Sequence, residues 1–277
     1  MGVIGIGRMG KGIAATYLRA GLSVAVFDVD SAPVQELAAL GAEVADSPLD
    51  VARNCPIVTV VVRDGPQLAA AAYGPLGLLQ GLEPGSTIIL HTTVLPVDLH
   101  PFADEVTARG ARVLEATMTG GVQGAASGGL TLMVGGDPEL LDECWSFLRH
   151  IARKRIHIGP LGTSGVCKAI QDTLYAVHHQ ATHEALELAV KAGVSPDRFF
   201  EVMHAKGWVV EKWDQHWTSD GTEEKLPAPG GSVRHAPQSL GPLVWAMAEE
   251  LGVDMEICER AIARSIAIAD EKWPEGR

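Results

Sequence analysis

Gly5, Gly7 and Gly10 stand in a G-x-G-x-x-G array directly behind a short apolar run, Val3, Ile4 and Ile6. The alanine-rich, helix-competent segment Lys11 to Ala20 follows at once. A buried strand, a tight glycine turn and a helix in that order constrain the fold strongly. One glycine makes the turn, one lets backbone approach a pyrophosphate, and one lets helix and strand pack closely. The free N–H groups and partial positive charge of the helix start suit phosphate. A second apolar run, Ser23 to Phe27, ends in Asp28 about twenty residues on, where a carboxylate can accept from an adenosine ribose.

Asp28 and Asp30 would repel a ribose 2′-phosphate, and Val29 and Ser31 offer no arginine to offset them. NAD is therefore expected over NADP. The competing use of Asp28 or Asp30 is to cap the helix expected over 31–40.

Up to about residue 160, β-rich runs alternate with helical patterns. Strands are expected at Val3–Ile6, Ser23–Phe27, Ile57–Val62, Ser86–Leu90, Arg112–Glu115, Thr131–Val134 and Arg155–Ile158. Ser47-Pro48 and Asp137-Pro138-Glu139 are helix starts, a capping side chain followed by Pro at the first helical position. Such alternation predicts a doubly wound, mostly parallel α/β sheet of Rossmann type. Beyond Ser164 the pattern changes. Val166 to Ala192 lacks Gly and Pro and carries Ile170, Leu174, Val177, Ala181, Ala185 and Leu188 at helical spacing. Further helices are expected from Ser195-Pro196-Asp197 and over Pro237–Leu251 and Met255–Lys272. The division expected is a dinucleotide-binding domain over 1–162 and an all-helical domain over 163–277, opened by a long interdomain helix. Between its helices, Thr218 to Arg234 is a Gly/Pro-rich loop of a length usually tied to function. Trp208, Trp213 and Trp217 precede it, either lining a pocket or packing helix on helix.

Composition excludes several classes. A net charge of −12 disfavours nucleic acid and anionic membranes as partners. Hydrophobic residues make up 47% of the chain, yet its apolar runs are too short to span a bilayer. No signal-like segment precedes the first strand, so a cytoplasmic location is expected. Cys55, Cys144, Cys167 and Cys258 lack C-x-x-C spacing and read as reduced thiols. His179 and His183 are four apart, but H-Q-A-T-H lacks the glutamate of a zinc protease, and no metal is expected.

Three later segments carry chemistry. The strand Ser86–Leu90 ends in His91-Thr92-Thr93-Val94-Leu95-Pro96, placing Thr92 and Thr93 at a strand C-terminus, where open α/β sheets hold ligands. Thr119-Gly120-Gly121 follows a strand, and its successive N–H groups can cradle a carboxylate. Gly162-Thr163-Ser164-Gly165-Val166-Cys167-Lys168 puts a lysine in the first turn of the long helix, a position the helix dipole disfavours unless the cation has a use or lies in solvent.

Together with Glu184-Ala-Leu…Ala192-Gly193, these segments resemble the β-hydroxyacid dehydrogenase family, in the manner of 3-hydroxyisobutyrate dehydrogenase. The resemblance implies an NAD(P)-dependent oxidoreductase with a small-molecule substrate, and a homodimer or homotetramer built on the helical domain. It implies Lys168 as catalytic acid/base, and Thr119, Gly120 and Gly121 as substrate-binding. The expected cofactor contacts are Gly5, Gly7, Arg8, Met9, Gly10, Asp28, Arg63 and Thr93. Asp172 and Trp208 complete the expected substrate contacts.

The departures from the family pattern are equally specific. Asp172 stands where the family has asparagine, one helical turn beyond Lys168 and within reach of its ammonium. Gln238-Ser239-Leu240 replaces Lys-Asp-Leu, and Thr117-Met118-Thr119 replaces Pro-Val-Ser. One cation is lost and one anion gained where a substrate carboxylate is expected. The substrate is therefore expected to differ from the usual small hydroxy acids: larger and less acidic, or cationic. The alternatives are an imine reductase-like enzyme acting on C=N, against which Lys168 argues, and a non-catalytic dinucleotide-binding module.

Overall fold

The computed structural model describes residues 1–206, 241 and 244–272. The chain divides into two compact units, Met1–Lys168 and Ala169–Arg277. The first holds one eight-stranded sheet in the order β3-β2-β1-β4-β5-β6-β7-β8. Its strands are β1 (Gly2–Ile4), β2 (Ala25–Phe27), β3 (Glu43–Val44), β4 (Ile57–Val60), β5 (Thr87–Leu90), β6 (Arg112–Thr119), β7 (Leu130–Gly135) and β8 (Ala152–Gly159). Pairing is parallel throughout, except that β7 runs antiparallel to β6.

Helices cover both faces of the sheet. One core joins α1 (Arg8–Arg19), α2 (Ser31–Ala38) and α7 (Pro138–Leu148) through Ile13, Tyr17, Leu37, Leu140 and Leu148. The other joins α3 (Pro48–Asn54), α4 (Gly65–Ala72) and α5 (Pro96–Ala108) through Val51, Leu68, Leu99 and Phe102. The central strands are therefore apolar on both sides, as a covered parallel sheet requires. Strand order reverses between β1 and β4, and such a reversal opens a crevice at the strand C-termini.

Three differences from the sequence reading have physical causes. β3 was not expected; it is two residues long with both side chains exposed, too short for an alternating pattern to show. β6 continues four residues past Glu115 to Thr119, because β7 pairs with it as far as Thr119↔Thr131. The long helix α8 starts at Thr163 and runs to Lys191, so Lys168 falls in its second turn rather than its first.

The described residues of the second unit form helices: the continuation of α8, α9 (Pro196–Ala205), α10 (244–250) and α11 (Glu256–Lys272). Leu186 and Phe200 are buried together, with Val190, Phe199 and Met203 packed around them. Trp208, Trp213, Trp217, the 218–234 loop and Gln238 lie outside the described residues.

Candidate active site

The glycine loop has the shape its spacing predicts. Gly5 adopts φ +91°, and a Cβ there would stand 2.5 Å from the Val61 carbonyl oxygen. Gly10 lies against Gly5 so closely that a Cβ would meet the Gly5 oxygen at 1.9 Å. Around Gly7 the space is open, with nothing within 4 Å of a Cβ. The outer glycines are thus consumed by packing, and the middle one leaves room for a ligand. Gly7 and Arg8 are exposed and Met9 is half-buried at the start of α1. These features fit a dinucleotide pyrophosphate: open space, a helix N-terminus, and no acidic residue in the first turn of α1.

The Asp28 carboxylate sits behind this loop. Its Oδ2 accepts from the Ile6 N–H at 2.5 Å, and its Oδ1 accepts from the Asp30 N–H at 2.8 Å. Each oxygen has a second lone pair, so these bonds orient the carboxylate and leave acceptor capacity for ribose hydroxyls. Asp30, in turn, caps α2 by accepting from Ala32 N–H at 3.0 Å. Asp30 therefore takes the capping use that the sequence allowed, and Asp28 does not cap α2. Val29 between them is 94% exposed.

At the ends of β4 and β5 the side chains separate. Arg63 is exposed, and its N–H donates to Gln67 Oε1 at 3.0 Å. Thr92 is buried, its Oγ1 accepting from Val62 N–H at 3.1 Å, whereas Thr93 is half-buried. Thr92 thus has a structural task, and Thr93 is the more accessible of the pair. His91 is buried beneath them, with its Nδ1–H donating to the Ala116 carbonyl at 2.5 Å. Nε2 finds no hydrogen-bond partner among the described residues. Burial holds the imidazole neutral and pushes its pKa down to about 4, against a weaker opposing effect of the Ala116 bond.

The Thr119-Gly120-Gly121 turn leaves β6 with φ +123° at Gly120 and +64° at Gly121, both accessible to glycine without strain. It leads into a short helix, α6 (Gly121–Ser127), which packs on α1. A Cβ at Gly12 would touch the Ala125 side chain at 3.1 Å, and Thr16 Oγ1 donates to the Ala125 carbonyl at 2.9 Å. The helix that follows the glycine loop thereby docks the segment that follows the Thr119-Gly120-Gly121 turn.

β6 also holds the start of α8. Glu115 is fully buried, and its carboxylate accepts three backbone N–H bonds: Gly162 at 2.9 Å and Ser164 at 3.2 Å on Oε2, Gly165 at 2.7 Å on Oε1. Burial pushes its pKa up, and the three donors oppose that shift. Two residues on, Thr117 N–H donates to Ser164 Oγ at 3.2 Å, and the two hydroxyls are 2.7 Å apart. Ser164 Oγ–H itself donates to the Met133 carbonyl at 2.7 Å. The Thr117 N–H is a donor that proline at this position would lack. Lys168 is half-buried one helical turn beyond Ser164, and Thr119 is two residues beyond Thr117. Sequence reasoning did not single out Glu115, although a carboxylate inside Val113-Leu114-Glu115-Ala116 is itself the signal, since buried carboxylates need partners.

A family model described as the NAD binding domain of 6-phosphogluconate dehydrogenase matches residues 1–159. An NAD-dependent L-serine dehydrogenase of Pseudomonas aeruginosa is 30% identical over 259 residues, covering 92% of this chain and 84% of that protein. The chain belongs to the β-hydroxyacid dehydrogenase family. Among solved structures, the 3-hydroxyisobutyrate dehydrogenase of Mycobacterium tuberculosis with L-serine is 26% identical, with a TM-score of 0.81 over 98% of this chain and 93% of that one. A Streptomyces aurantiacus imine reductase is 19% identical, with a TM-score of 0.65 over 98% and 94% of the two chains, and shares the fold. This member of the family is an NAD(P)-dependent dehydrogenase acting on CH–OH, and the C=N alternative has a likeness of fold alone behind it. Among the described residues no group of three His, Cys, Asp or Glu is placed to hold a metal ion, and no helix is long and apolar enough to cross a membrane.

Proposed function

We propose that this dehydrogenase prefers NAD and oxidises an alcohol bearing a cationic amino group, with Lys168 as the acid/base. One observation carries the reading. The α8 backbone just before Lys168 is bonded to Glu115 and Thr117 of β6, the strand that ends at Thr119. Gly5, Gly7, Arg8, Met9 and Gly10 would hold the pyrophosphate, Asp28 the adenosine ribose, and Arg63 and Thr93 the remainder of the cofactor. When bound, NAD supplies the hydride acceptor. Lys168 takes the hydroxyl proton during oxidation and returns it during reduction. Thr119 with the Gly120 and Gly121 N–H groups binds the polar end of the substrate.

Asp172, at the i+4 position from Lys168 on α8, supplies the selectivity for charge. An aspartate there favours a substrate ammonium over a second carboxylate. The NAD preference rests on Asp28, Asp30 and the open Val29 position. Trp208, outside the described residues, is kept as a substrate contact.

The test is NAD- and NADP-linked turnover of L-serine, 3-hydroxyisobutyrate, L-threonate and 3-aminopropanol, with a cyclic imine in the reductive direction. Amino-bearing alcohols are expected to lead in kcat/KM. Turnover confined to alcohols without an amine would overturn the charge reading. NADH-induced thermal stabilisation without turnover on any compound would favour a binding module.

We further place the protein in the cytoplasm as a homodimer or homotetramer through the helical unit. Leu188, Val202 and Ile257 of that unit are 71%, 58% and 78% exposed and are apolar side chains that an assembly could cover. Light scattering on the purified chain tests the assembly.

A further inference from the structure

Glu115 has no part in the proton and hydride transfers proposed above, yet it is buried at the start of α8. It lies inside the sheet, away from solvent, with its carboxylate on the N–H groups that open α8. Helix N-termini usually draw their acceptors from the residue just before the helix. Here Ser164 and Gly165 draw theirs from a strand 49 and 50 residues earlier in the chain. The surrounding backbone is shaped to admit the carboxylate. A Cβ at Gly135 would stand 2.7 Å from Glu115 Oε2, and a Cβ at Gly165 would stand 2.7 Å from Oε1. The same Gly165 Cβ would meet the Val94 carbonyl oxygen at 2.0 Å, so the first turn of α8 is wedged between β6 and the segment after β5.

We propose that Glu115 is a positioning residue for the dehydrogenase reaction, setting the height and rotation of α8 and through them the place of the Lys168 amine. The inference rests on the reading of Lys168 as acid/base. Three hydrogen bonds to one rigid strand residue leave the first turn of α8 little freedom to slide. Lys168 stands a single turn further on, and proton transfer tolerates only small displacements of donor from acceptor. The carboxylate also supplies negative charge at the helix end that would otherwise bear an unmet positive dipole. Gln is the informative substitute. It is isosteric but offers one acceptor oxygen in place of two, so at least one N–H, at Gly165 or at Gly162 and Ser164, loses its partner.

The test compares Glu115→Gln, Lys168→Ala and the double variant, using the alcohol of the panel above that the wild type turns over fastest. Expected for Glu115→Gln is a fall in kcat of ten-fold or more, with KM for NAD within two-fold of wild type. The double variant is expected to equal Lys168→Ala, because a residue acting through the lysine has no further effect once the lysine is gone. Turnover of Glu115→Gln within two-fold of wild type overturns the proposal, as does a ten-fold loss that recurs in the Lys168→Ala background. Near-normal turnover of Lys168→Ala removes the acid/base reading first and this inference with it. Loss in Lys168→Ala beside normal turnover in Glu115→Gln removes this inference alone. If Glu115→Gln does not fold, Glu115→Asp carries the same comparison, its acceptors drawn back by one methylene.

Discussion

The Asp28 carboxylate and the Ile6 N–H are joined at 2.5 Å, so the end of β2 and the glycine loop behave as one piece. A residue expected either to accept from ribose or to cap a helix also fixes the glycine loop. Replacing Asp28 would therefore mix two effects, and Val29 is the cleaner probe. It is almost fully exposed, so Val29→Arg adds a cation for a 2′-phosphate without disturbing the core. kcat/KM for NADP should rise about ten-fold, equivalent to about 1.4 kcal/mol, with that for NAD changing less. Steady-state kinetics with both cofactors measures it.

Gly10 and Gly7 should part company under the same small change. Gly10→Ala forces a Cβ against the Gly5 oxygen, and overpacking of this kind costs about 1–3 kcal/mol. A drop in Tm of several degrees is expected, visible by calorimetry without cofactor. Gly7→Ala meets nothing, and its backbone at φ −65° already suits alanine. Its Tm should stay within about a degree of wild type, while the Kd for NADH by fluorescence rises about ten-fold or more as the methyl takes the phosphate's room.

Lys168→Ala should lower kcat by about 10²–10⁴, the usual contribution of a positioned acid or base. NADH should bind as before, because the glycine loop and Asp28 are untouched. Rapid-mixing kinetics together with cofactor titration separates the two quantities.

Acid should destabilise the fold through His91. The folded ring, held neutral with its pKa near 4, takes up a proton well after the unfolded ring does at about 6.5. The unfolded state thus binds more protons between those values, and stability falls as pH drops from 6.5 towards 4. The full loss is about 3 kcal/mol at 1.36 kcal/mol per pKa unit. Urea unfolding at pH 7, 5.5 and 4.5 should show it, and His91→Asn should flatten the slope whatever its own stability.

The Rossmann unit was legible because its cues are local. Val3–Ile6 reads as a strand from three apolar residues, and the spacing of Gly5, Gly7 and Gly10 falls within six residues of chain. Lys168 stood out because it breaks a local rule about cations near helix starts. What escaped depends on partners far along the chain. Nothing local marks Glu43–Val44 as a strand, since its order comes from β2 alongside it. The start of α8 was placed late because its cap is Glu115, which no window of sequence around Thr163 contains. The burial of Thr92 beside a more open Thr93 was hidden too, because it follows from which of them faces Val62.

The strand order has a consequence for how the molecule assembles. β1 is made first; β2 and β3 add outward on one side of it, and β4 through β8 add one after another on the other side. Each strand after β1 thus finds a completed neighbour as it leaves the ribosome, and only β1 waits for a later one to become its partner. The hydrogen bonds that tie α8 to Glu115 close last, once the sheet is whole. The first turn of α8 is therefore seated by a strand made well before it, since Gly162, Ser164 and Gly165 leave the ribosome only after Glu115 already stands in β6.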